Sequence, residues 1–213
     1  MVDFTKQRIR SRIEARLLDA GAADVHAAYG ERKQSTIGAM RGTVVEIGPG
    51  TGANMRYYAA GTKVIAVEPN PVMHEPLQAK AAEHDVDLEI RTLRGEAVDI
   101  ADESADGVVG TLLLCGVDDP AAVVAEAHRM LKPGGIYFFV EHVVAPAGSR
   151  THTVQRLVHR PHRWMFNGCE VNRDTAALLR SSDFINVEID DVDRGRSALW
   201  ARIQIVGTAI KPG

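Results

Sequence analysis

The sequence predicts an α/β fold: one doubly wound domain in which helices cover both faces of a seven-stranded, mostly parallel sheet. Five short apolar runs alternate with helical stretches between residues 43 and 141, and this alternation is typical of parallel βαβ units. The first run breaks into three glycines at alternate positions, as a buried strand does when it ends in a tight turn. Two final apolar runs predict an antiparallel hairpin that closes the sheet.

The composition indicates a single globular domain. The chain has 213 residues, of which 45% are hydrophobic and 25% are charged. A net charge of -3 supplies no basic field for nucleic acid, and no run approaches the roughly 18 apolar residues of a membrane span. The first residues lack the apolar core of a secretory signal. We therefore expect a cytoplasmic protein in which Cys115 and Cys169 are free thiols.

Residues 1–40 are expected to form a helical cap. Arg and Lys are dense over residues 4–19, and the apolar residues among them recur at near-helical spacing, which predicts an amphipathic helix. These apolar residues are Phe4, Ile9, Ile13, Leu17 and Leu18. Three interpretations are open: a helix packed on the domain, a mobile lid over a substrate pocket, or a contact with a membrane surface. Residues 21–40 predict a second, Ala-rich helical stretch.

Residues 43–141 form the predicted core of strands and helices. Pro71 and Pro120 each suit the first turn of a helix, and the segment after Gly52 is also predicted to be helical. A strong turn at residues 132–135 precedes the fifth strand. The helices are predicted at residues 71–84 and 119–130, and the strands at residues 44–47, 63–67, 87–91, 107–111 and 136–140.

Residues 142–172 interrupt the alternation as an insertion after the fifth strand. Such an insertion lies at the carboxyl edge of the sheet, where open α/β folds bind ligands, so we expect it to form one side of a ligand site. Its histidines are interpreted mainly as surface residues, and its apolar residues either wall a ligand pocket or anchor the loop to the core. The histidines are His152, His159 and His162, and the apolar residues are Trp164, Met165 and Phe166.

Residues 173–213 complete the single domain. Asn172 or Asp174 is expected to cap a short helix that ends near Ser181. Two final strands are predicted at residues 185–190 and 199–207.

The glycine turn and the next acid indicate a ligand that contains a ribose. Glu68 ends the second strand 20 residues after Gly48, the spacing at which a carboxylate accepts both ribose hydroxyls. Gly52 comes one residue earlier than the third glycine of the dinucleotide fingerprint. Glu46 places negative charge inside the first strand, where it would oppose a pyrophosphate. The turn therefore favours a cationic or neutral ligand over a dinucleotide.

Four motifs across residues 43–141 together resemble class I S-adenosylmethionine-dependent methyltransferases, which have a Rossmann-like fold. They are Glu46-Ile47-Gly48-Pro49-Gly50-Thr51-Gly52, Glu68, Gly95-Glu96-Ala97 and Leu131-Lys132-Pro133-Gly134-Gly135. A closer likeness is to the small-molecule branch that contains the methyltransferase-like thiol S-methyltransferases. It rests on Gly50-Thr51-Gly52-Ala53-Asn54, Glu68-Pro69-Asn70-Pro71, Thr111-Leu112-Leu113-Leu114-Cys115, Glu141-His142-Val143 and Asn167-Gly168-Cys169. The chain lacks the N-terminal hydrophobic anchor of the animal members, so we expect it to resemble a soluble relative.

The resemblance implies S-adenosylmethionine as the cofactor and S-adenosylhomocysteine as its product. It places the glycine turn beneath the methionine part with Glu46 near the amino end, Glu68 on the ribose hydroxyls, and Glu96 beside the adenine. Thr111 and Leu112 then lie near the sulfonium and the transferred methyl. The implied cofactor-binding residues are Glu46, Gly48, Gly50, Gly52, Asn54, Glu68, Pro69, Gly95, Glu96, Ala97, Thr111 and Leu112. Two alternatives stay open: Glu46 as a buried acid satisfied by backbone donors, and Glu96 as an acid at a helix start.

The acceptor is expected to be a small, largely apolar molecule, with a thiol favoured. Methyl transfer is an in-line displacement, so the protein mainly positions the nucleophile and removes water. A thiol of pKa about 8.5 already ionises appreciably, whereas a phenol needs more help from a base. O- or C-methylation of a phenol or quinol is the alternative within the enzymes, and a cofactor-binding regulatory module is the non-enzymatic alternative.

His142 is the candidate catalytic base or acceptor-positioning residue. It lies just beyond the fifth strand beside Glu141, which could orient it. A solvated or supporting histidine is the competing interpretation. No metal-ligand spacing stands out in the sequence, so no metal is expected. The expected partner is a small molecule rather than nucleic acid.

Overall fold

Seven strands form one sheet in the order β3-β2-β1-β4-β5-β7-β6. The computed structural model describes residues 8–166, 168–195 and 198–213. Strands β1 to β5 pair in parallel, while β7 lies antiparallel between β5 and β6. The predicted mostly parallel sheet with a C-terminal antiparallel hairpin is confirmed. The strands are β1 Thr43–Ile47, β2 Lys63–Val67, β3 Asp87–Arg91, β4 Ala105–Thr111, β5 Leu131–His142, β6 Ile185–Asp193 and β7 Ile203–Ile210.

Five α-helices surround the sheet in the described part of the chain, and their starts follow the sequence signals. Asp119 accepts a hydrogen bond from the Ala122 N–H at 3.0 Å, so the third helix is capped as its sequence predicts. Asp174, rather than Asn172, caps the fifth helix through the Ala177 N–H at 3.0 Å. The helices are α1 Arg8–Thr36, α2 Pro71–Glu83, α3 Pro120–Met130, α4 Arg150–Met165 and α5 Thr175–Arg180.

Helices cover both faces of the sheet. Successive strand residues point to opposite faces, so Val45 packs in one apolar cluster with Val123 of α3. Val44 packs in the other cluster with Tyr29 of α1 and Leu77 of α2. Because both faces are buried, the parallel strands need near-continuous apolar residues, and this is the pattern that predicted them. No helix among the described residues is long and apolar enough to cross a membrane.

The N-terminal cap differs from its prediction in two ways. One continuous helix, α1, replaces the two expected stretches, because Gly21 lies in open space and a single helical glycine costs only about 1 kcal/mol. The apolar stripe is also not buried, since Ile9, Ile13 and Leu17 are 78%, 52% and 48% exposed. Phe4 lies outside the described residues.

The segment after Gly52 is not an α-helix, contrary to the prediction. It forms a single 3-10 turn at Met55–Tyr57, because the chain must turn again at Gly61, whose φ is 75°, to enter β2. Met55, Tyr57 and Tyr58 are all buried and fill the space that a longer helix would occupy. This short connection leaves the carboxyl end of β1 close to α1.

Two further boundaries differ from the sequence expectation. The predicted turn at residues 132–135 lies within the bounds of β5, where the pairing with β4 shifts and Gly134 has a φ of 77°. The last strand begins at Ile203 instead of residue 199, because Leu199–Ala201 forms a 3-10 turn. The insertion at residues 142–172 contains α4. This helix lies over the same sheet edge as the glycine turn and packs against residues 199–201.

Candidate active site

One cavity of about 460 Å³ lies at the carboxyl ends of the parallel strands. Gly48 after β1, Glu68 after β2, Thr111 at the end of β4 and His142 at the end of β5 all line it. Parallel strands present their carboxyl ends at one edge, and this geometry places the four residues together although they are far apart in sequence. A volume of this size suits a small-molecule ligand.

The glycine turn forms the floor of one end of this cavity. Gly48, Gly50 and Gly52 have φ values of 67°, 55° and 85°, a region that side chains with a Cβ rarely adopt. The Gly48 N–H donates to the Val67 carbonyl at 2.9 Å, which fixes the turn against β2. A Cβ on Gly52 would lie 2.9 Å from Leu77 Cδ1, so this glycine also permits close packing on α2.

Glu68 is held by the backbone of the same turn. Its Oε2 accepts from the Gly50 N–H at 3.1 Å and its Oε1 from the Asn70 N–H at 2.8 Å. The side chain is only 6% exposed, and burial raises the pKa of this carboxyl to about 7. Each oxygen accepts one N–H and keeps further acceptor capacity, and Glu68 lines the cavity.

Glu46 lies behind the cavity wall in a buried network. Its carboxylate accepts from Asn54 Nδ2 at 2.7 Å and from the Tyr58 hydroxyl at 2.8 Å, and burial raises its pKa. Asn54 Oδ1 in turn accepts from Lys33 Nζ at 2.7 Å. The partners of Glu46 are thus side chains, not the backbone donors of the alternative interpretation.

Lys33 is a site residue that sequence reasoning missed. It reaches the cavity from α1, and burial lowers the pKa of its ammonium to about 8. A lysine on an Ala-rich helical stretch ordinarily faces solvent, so the only sequence signal was its place on the face of α1 that also carries Val25 and Tyr29.

The remaining predicted cofactor residues divide into two groups. Pro69, Gly95, Glu96, Thr111 and Leu112 line the cavity, whereas Glu46, Gly52, Asn54 and Ala97 are placed around it without lining it. Glu96 Oε1 accepts from the Asp118 N–H at 3.1 Å. The described chain has no α-helix between β3 and β4, so the interpretation of Glu96 as an acid at a helix start is wrong.

Leu112 lines the cavity with an unusual backbone conformation. It has a left-handed backbone with a φ of 54° although it is not a glycine, and this conformation costs on the order of 1 kcal/mol. A short hydrogen bond of 2.6 Å from its N–H to the Val140 carbonyl holds it. Strained residues of this kind concentrate at ligand sites.

Helix α1 closes the cavity above the glycine turn. Leu18, Ala22 and Val25 line the cavity from this helix. Asp19 ties the helix to the core, because its Oδ1 accepts from the Thr51 hydroxyl at 2.8 Å and from Lys80 Nζ at 2.6 Å. Among the described residues, the part of α1 that lines the cavity shares only Leu18 with the predicted apolar stripe.

Two thiols and an imidazole meet at the opposite end of the cavity. Cys115 Sγ lies 3.5 Å from Cys169 Sγ and 3.6 Å from His142 Nδ1, and Cys169 Sγ lies 3.9 Å from the same nitrogen. Both cysteines are free, as predicted. The hydrogen bond with Cys169, together with burial, raises the pKa of the Cys115 thiol well above its usual range. No local pattern reveals this cluster, because successive members are 27 positions apart.

Glu141 does not have the role predicted for it. Its carboxylate accepts from the backbone N–H groups of Leu113, Leu114 and Cys115 at 3.0, 2.8 and 3.2 Å. Neighbouring residues of a strand point to opposite faces, so Glu141 holds the loop after β4 while His142 faces the thiols. Burial raises the pKa of Glu141 to about 7.

His162 is buried, which corrects its interpretation as a surface residue. It lines the cavity from α4 with Phe166, whereas Trp164 and Met165 are exposed. Trp200 Nε1–H donates to His162 Nδ1 at 3.1 Å. An indole is only a donor, so the imidazole is neutral with its proton on Nε2, and burial lowers its pKa to about 4. That N–H has no hydrogen-bond partner within the described part of the chain.

Comparison with known proteins identifies the family of this chain. Residues 45–139 match the family described as methyltransferase domain. A thiol S-methyltransferase of Rattus norvegicus is 37% identical over 172 residues, which are 79% of this chain and 70% of the rat protein. A thiol S-methyltransferase of Homo sapiens is 31% identical over 172 residues, with the same coverage of 79% and 70%.

The chain belongs to the class I S-adenosylmethionine-dependent methyltransferases. Membership confirms both the family resemblance of the sequence motifs and the prediction of an enzyme.

Solved structures of methyltransferases share the fold. An S-adenosylmethionine-dependent methyltransferase of Thermotoga maritima, described as a possible histamine N-methyltransferase, has a TM-score of 0.69 at 19% identity and covers 96% of this chain and 98% of its own. A geranyl diphosphate methyltransferase in complex with S-adenosylmethionine has a TM-score of 0.66 at 16% identity, over 85% of this chain and 83% of its own. These structures confirm the Rossmann-like fold of the methyltransferase.

Proposed function

We propose that this methyltransferase binds S-adenosylmethionine at the glycine-turn end of the cavity and methylates a small, apolar thiol at the Cys115 end. The observation that supports the proposal is the continuity of the cavity. The same space is lined by the Glu68 carboxylate after β2 and by the thiol and imidazole groups after β4 and β5. A donor and an acceptor bound in this space would therefore be neighbours.

The cofactor end fits the chemistry of S-adenosylmethionine. The free acceptor capacity of Glu68 suits two ribose hydroxyls, which are donors. The absence of side chains at Gly48 and Gly50 lets a ligand approach the backbone closely. When bound, the cofactor supplies an electrophilic methyl group on a positively charged sulfur. We place this methyl group beside Thr111 and Leu112, which line the cavity at and just after the end of β4.

The protein positions the two reactants and excludes water from the cavity between them. Helix α1 covers the glycine turn through Leu18 and Val25, and Phe166 of the α4 region covers the acceptor end. We accordingly propose a functional division of the single domain: residues 1–40 as a cap, 43–141 as the cofactor-binding core, 142–172 as the acceptor side, and 173–213 as the closing helix and hairpin. An in-line displacement depends on such positioning more than on acid or base chemistry.

A thiol acceptor is supported by the relatives and by the lining of the acceptor end. The rat and human relatives are named thiol S-methyltransferases. Leu113 and Phe166 make the acceptor end apolar, and His142 Nδ1 faces into it beside the thiols. A thiol loses its proton more readily than a phenol, so the imidazole of His142 suffices as its proton acceptor.

The test is a set of thiols, phenols and quinols of matched size, each incubated with the full chain and methyl-labelled S-adenosylmethionine. We expect label in methyl thioethers and S-adenosylhomocysteine in equal amount. Labelled methyl ethers without thioethers would instead support the phenol or quinol alternative and overturn the thiol assignment. Calorimetry with S-adenosylmethionine alone is the control, since absence of binding would overturn the cofactor assignment as well.

A further inference from the structure

The cluster of Cys115, His142 and Cys169 has the dimensions of a metal site. Tetrahedral zinc, with Zn–S of about 2.3 Å and Zn–N of about 2.0 Å, separates two sulfur ligands by about 3.8 Å and sulfur from nitrogen by about 3.6 Å. The corresponding separations here are 3.5 Å between the sulfurs, and 3.6 and 3.9 Å from the sulfurs to His142 Nδ1. All three ligand atoms lie within 4.8 Å of one another.

The surrounding hydrogen bonds hold the cluster in this arrangement. Glu141 binds the Cys115 N–H, and the Cys115 carbonyl accepts from the Glu170 N–H at 2.6 Å. The Cys169 N–H donates to the Phe166 carbonyl at 3.0 Å. The backbones that carry both cysteines are thus fixed independently of any bond between the thiols, and such outer contacts are what orient metal ligands in proteins.

We propose that Cys115, His142 and Cys169 bind Zn²⁺ and that the fourth coordination position receives the sulfur of the acceptor thiol. Two cysteines and one histidine with an open position form a ligand set of catalytic zinc, and thiolates select such a borderline-soft ion. All three side chains line the cavity, so the open position faces the space proposed for the acceptor. The acceptor part of this inference rests on the proposed thiol methylation.

Charge and proton balance support this arrangement. Two thiolates and a neutral imidazole cancel the charge of Zn²⁺, so an acceptor thiolate in the fourth position gives the site one negative charge. That charge complements the sulfonium of the methyl donor. On binding, the acceptor R–SH displaces a zinc-bound water and releases its proton to solvent, because coordination deprotonates a thiol outright. With zinc bound, His142 Nδ1 is a metal ligand, so the metal replaces the imidazole in the task of removing the thiol proton.

The methyl transfer then balances without a further reactant. A lone pair of the bound sulfur forms the new S–CH₃ bond, and the bond from the methyl carbon to the sulfonium sulfur breaks with its electron pair staying on that sulfur. The products are S-adenosylhomocysteine and the neutral thioether R–S–CH₃. The thioether is a weaker zinc ligand than a thiolate, so water replaces it and the site is regenerated.

Metal binding by the full chain is the first test. The protein is purified with a phosphine reductant and a chelator and is then titrated with Zn²⁺ in competition with a chromophoric chelator. We expect roughly one equivalent to bind, and Cys115→Ser and Cys169→Ser to weaken binding by more than the roughly 100-fold that loss of an outer contact costs. His159→Gln, on α4 away from the cavity, is the matched control and should bind as the unmutated chain does.

Cobalt substitution tests the geometry without any variant. Co²⁺ in place of zinc should give the near-ultraviolet thiolate charge-transfer bands and the strong visible bands of a tetrahedral site. A small apolar thiol should shift the visible bands with saturation, whereas an alcohol of the same size should not. Octahedral, weakly coloured cobalt, or a Cys115–Cys169 disulfide that persists in the reductant with no metal bound, would overturn the site.

The rates of methylation separate this inference from the proposed function. If the metal-free chain methylates thiols as fast as the zinc-loaded chain, the zinc site has no part in the reaction and the inference fails while the function stands. If the chain binds zinc but methylates phenols alone, thiol methylation fails and the metal site stands. Thiol methylation that rises at least about tenfold with one zinc equivalent supports both.

Discussion

The two ends of the cavity are built in different ways. At the glycine-turn end, Gly48 and Glu68 lie in one continuous stretch, because Gly48 follows β1 and Glu68 follows the neighbouring strand β2. The sulfur end is assembled from three separate segments that carry Cys115, His142 and Cys169. A local motif therefore encodes the glycine-turn end, while only the tertiary structure brings the residues of the sulfur end together.

The two ends also differ in what fixes them. Backbone conformation fixes the glycine-turn end, since its three glycines have positive φ and Glu68 binds backbone N–H groups. Side chains fix the sulfur end: the buried carboxylate of Glu141, and the hydrogen-bonded pair of Trp200 and His162. Substitutions that change backbone freedom should therefore affect the glycine-turn end most. Substitutions that remove a single hydrogen-bonding side chain should affect the sulfur end most.

The largest expected effect is that of Gly52→Ala. A Cβ at this position meets a left-handed backbone with a φ of 85° and lies 2.9 Å from Leu77 Cδ1 and 3.3 Å from Leu77 Cα. Strain and overpacking together should lower the free energy of unfolding by about 2–4 kcal/mol. Urea denaturation measures this loss.

Gly61→Ala is the matched control for this change. Gly61 has a φ of 75° but no atom within 4 Å of an added Cβ, so only the conformational cost of about 1–2 kcal/mol applies. Equal losses in the two variants would show that close packing on α2 contributes nothing to the glycine turn.

Glu68→Gln should weaken the binding of S-adenosylmethionine by roughly 10- to 100-fold, the cost of losing hydrogen bonds to a charged acceptor. The new amide also presents a donor to one of the two N–H groups, of Gly50 and Asn70, that the carboxylate accepts. Calorimetry provides the dissociation constant. Glu75→Gln, an acid on α2 that does not line the cavity, is the control and should leave that constant unchanged.

The placement of the glycine turn and Glu68 on one cavity, and most of the fold, are predictable from the sequence for a physical reason. Strand periodicity, the caps Asp119 and Asp174, and the spacing of Gly48 and Glu68 are all properties of residues close together in the chain. The predicted helix after Gly52 is wrong because the turn at Gly61 lies too close, which periodicity does not register. The sulfur cluster, Lys33 and the Trp200–His162 pair depend on how distant segments pack, and no local pattern carries that information.

The pH dependence of cofactor binding sharpens the role of Glu68. Ribose hydroxyls donate more strongly to the ionised carboxylate than to the protonated carboxyl group, one oxygen of which has become a donor, so binding lowers a pKa that burial has raised to about 7. Affinity should therefore rise with pH, by roughly tenfold between pH 6 and pH 8, and then level off. Titrations by calorimetry in buffers of different ionisation enthalpy measure both the affinity and the proton released.

Glu68→Gln is again the informative comparison for that pH series. The variant lacks the titrating group, so its affinity should be flat where the unmutated chain shows a rise. A rise of the same size in the variant would assign the pH dependence to another titrating group. Lys33 is one such group, since it also lines the cavity and burial lowers its pKa to about 8.

The smallest expected effect belongs to Trp200→Phe at the acceptor end. Without the indole N–H, His162 Nδ1 loses its donor and the imidazole is free to move its proton from Nε2 to Nδ1. One neutral hydrogen bond is worth about 0.5–1.5 kcal/mol, so we expect KM for the acceptor to rise roughly 2- to 10-fold. The dissociation constant of S-adenosylmethionine should stay the same, because Glu68 and the glycine turn are untouched.

Trp164→Phe, at a side chain that is 69% exposed, controls for the loss of an indole elsewhere. A change in cofactor affinity with no change in acceptor KM would contradict the division of the cavity into two ends.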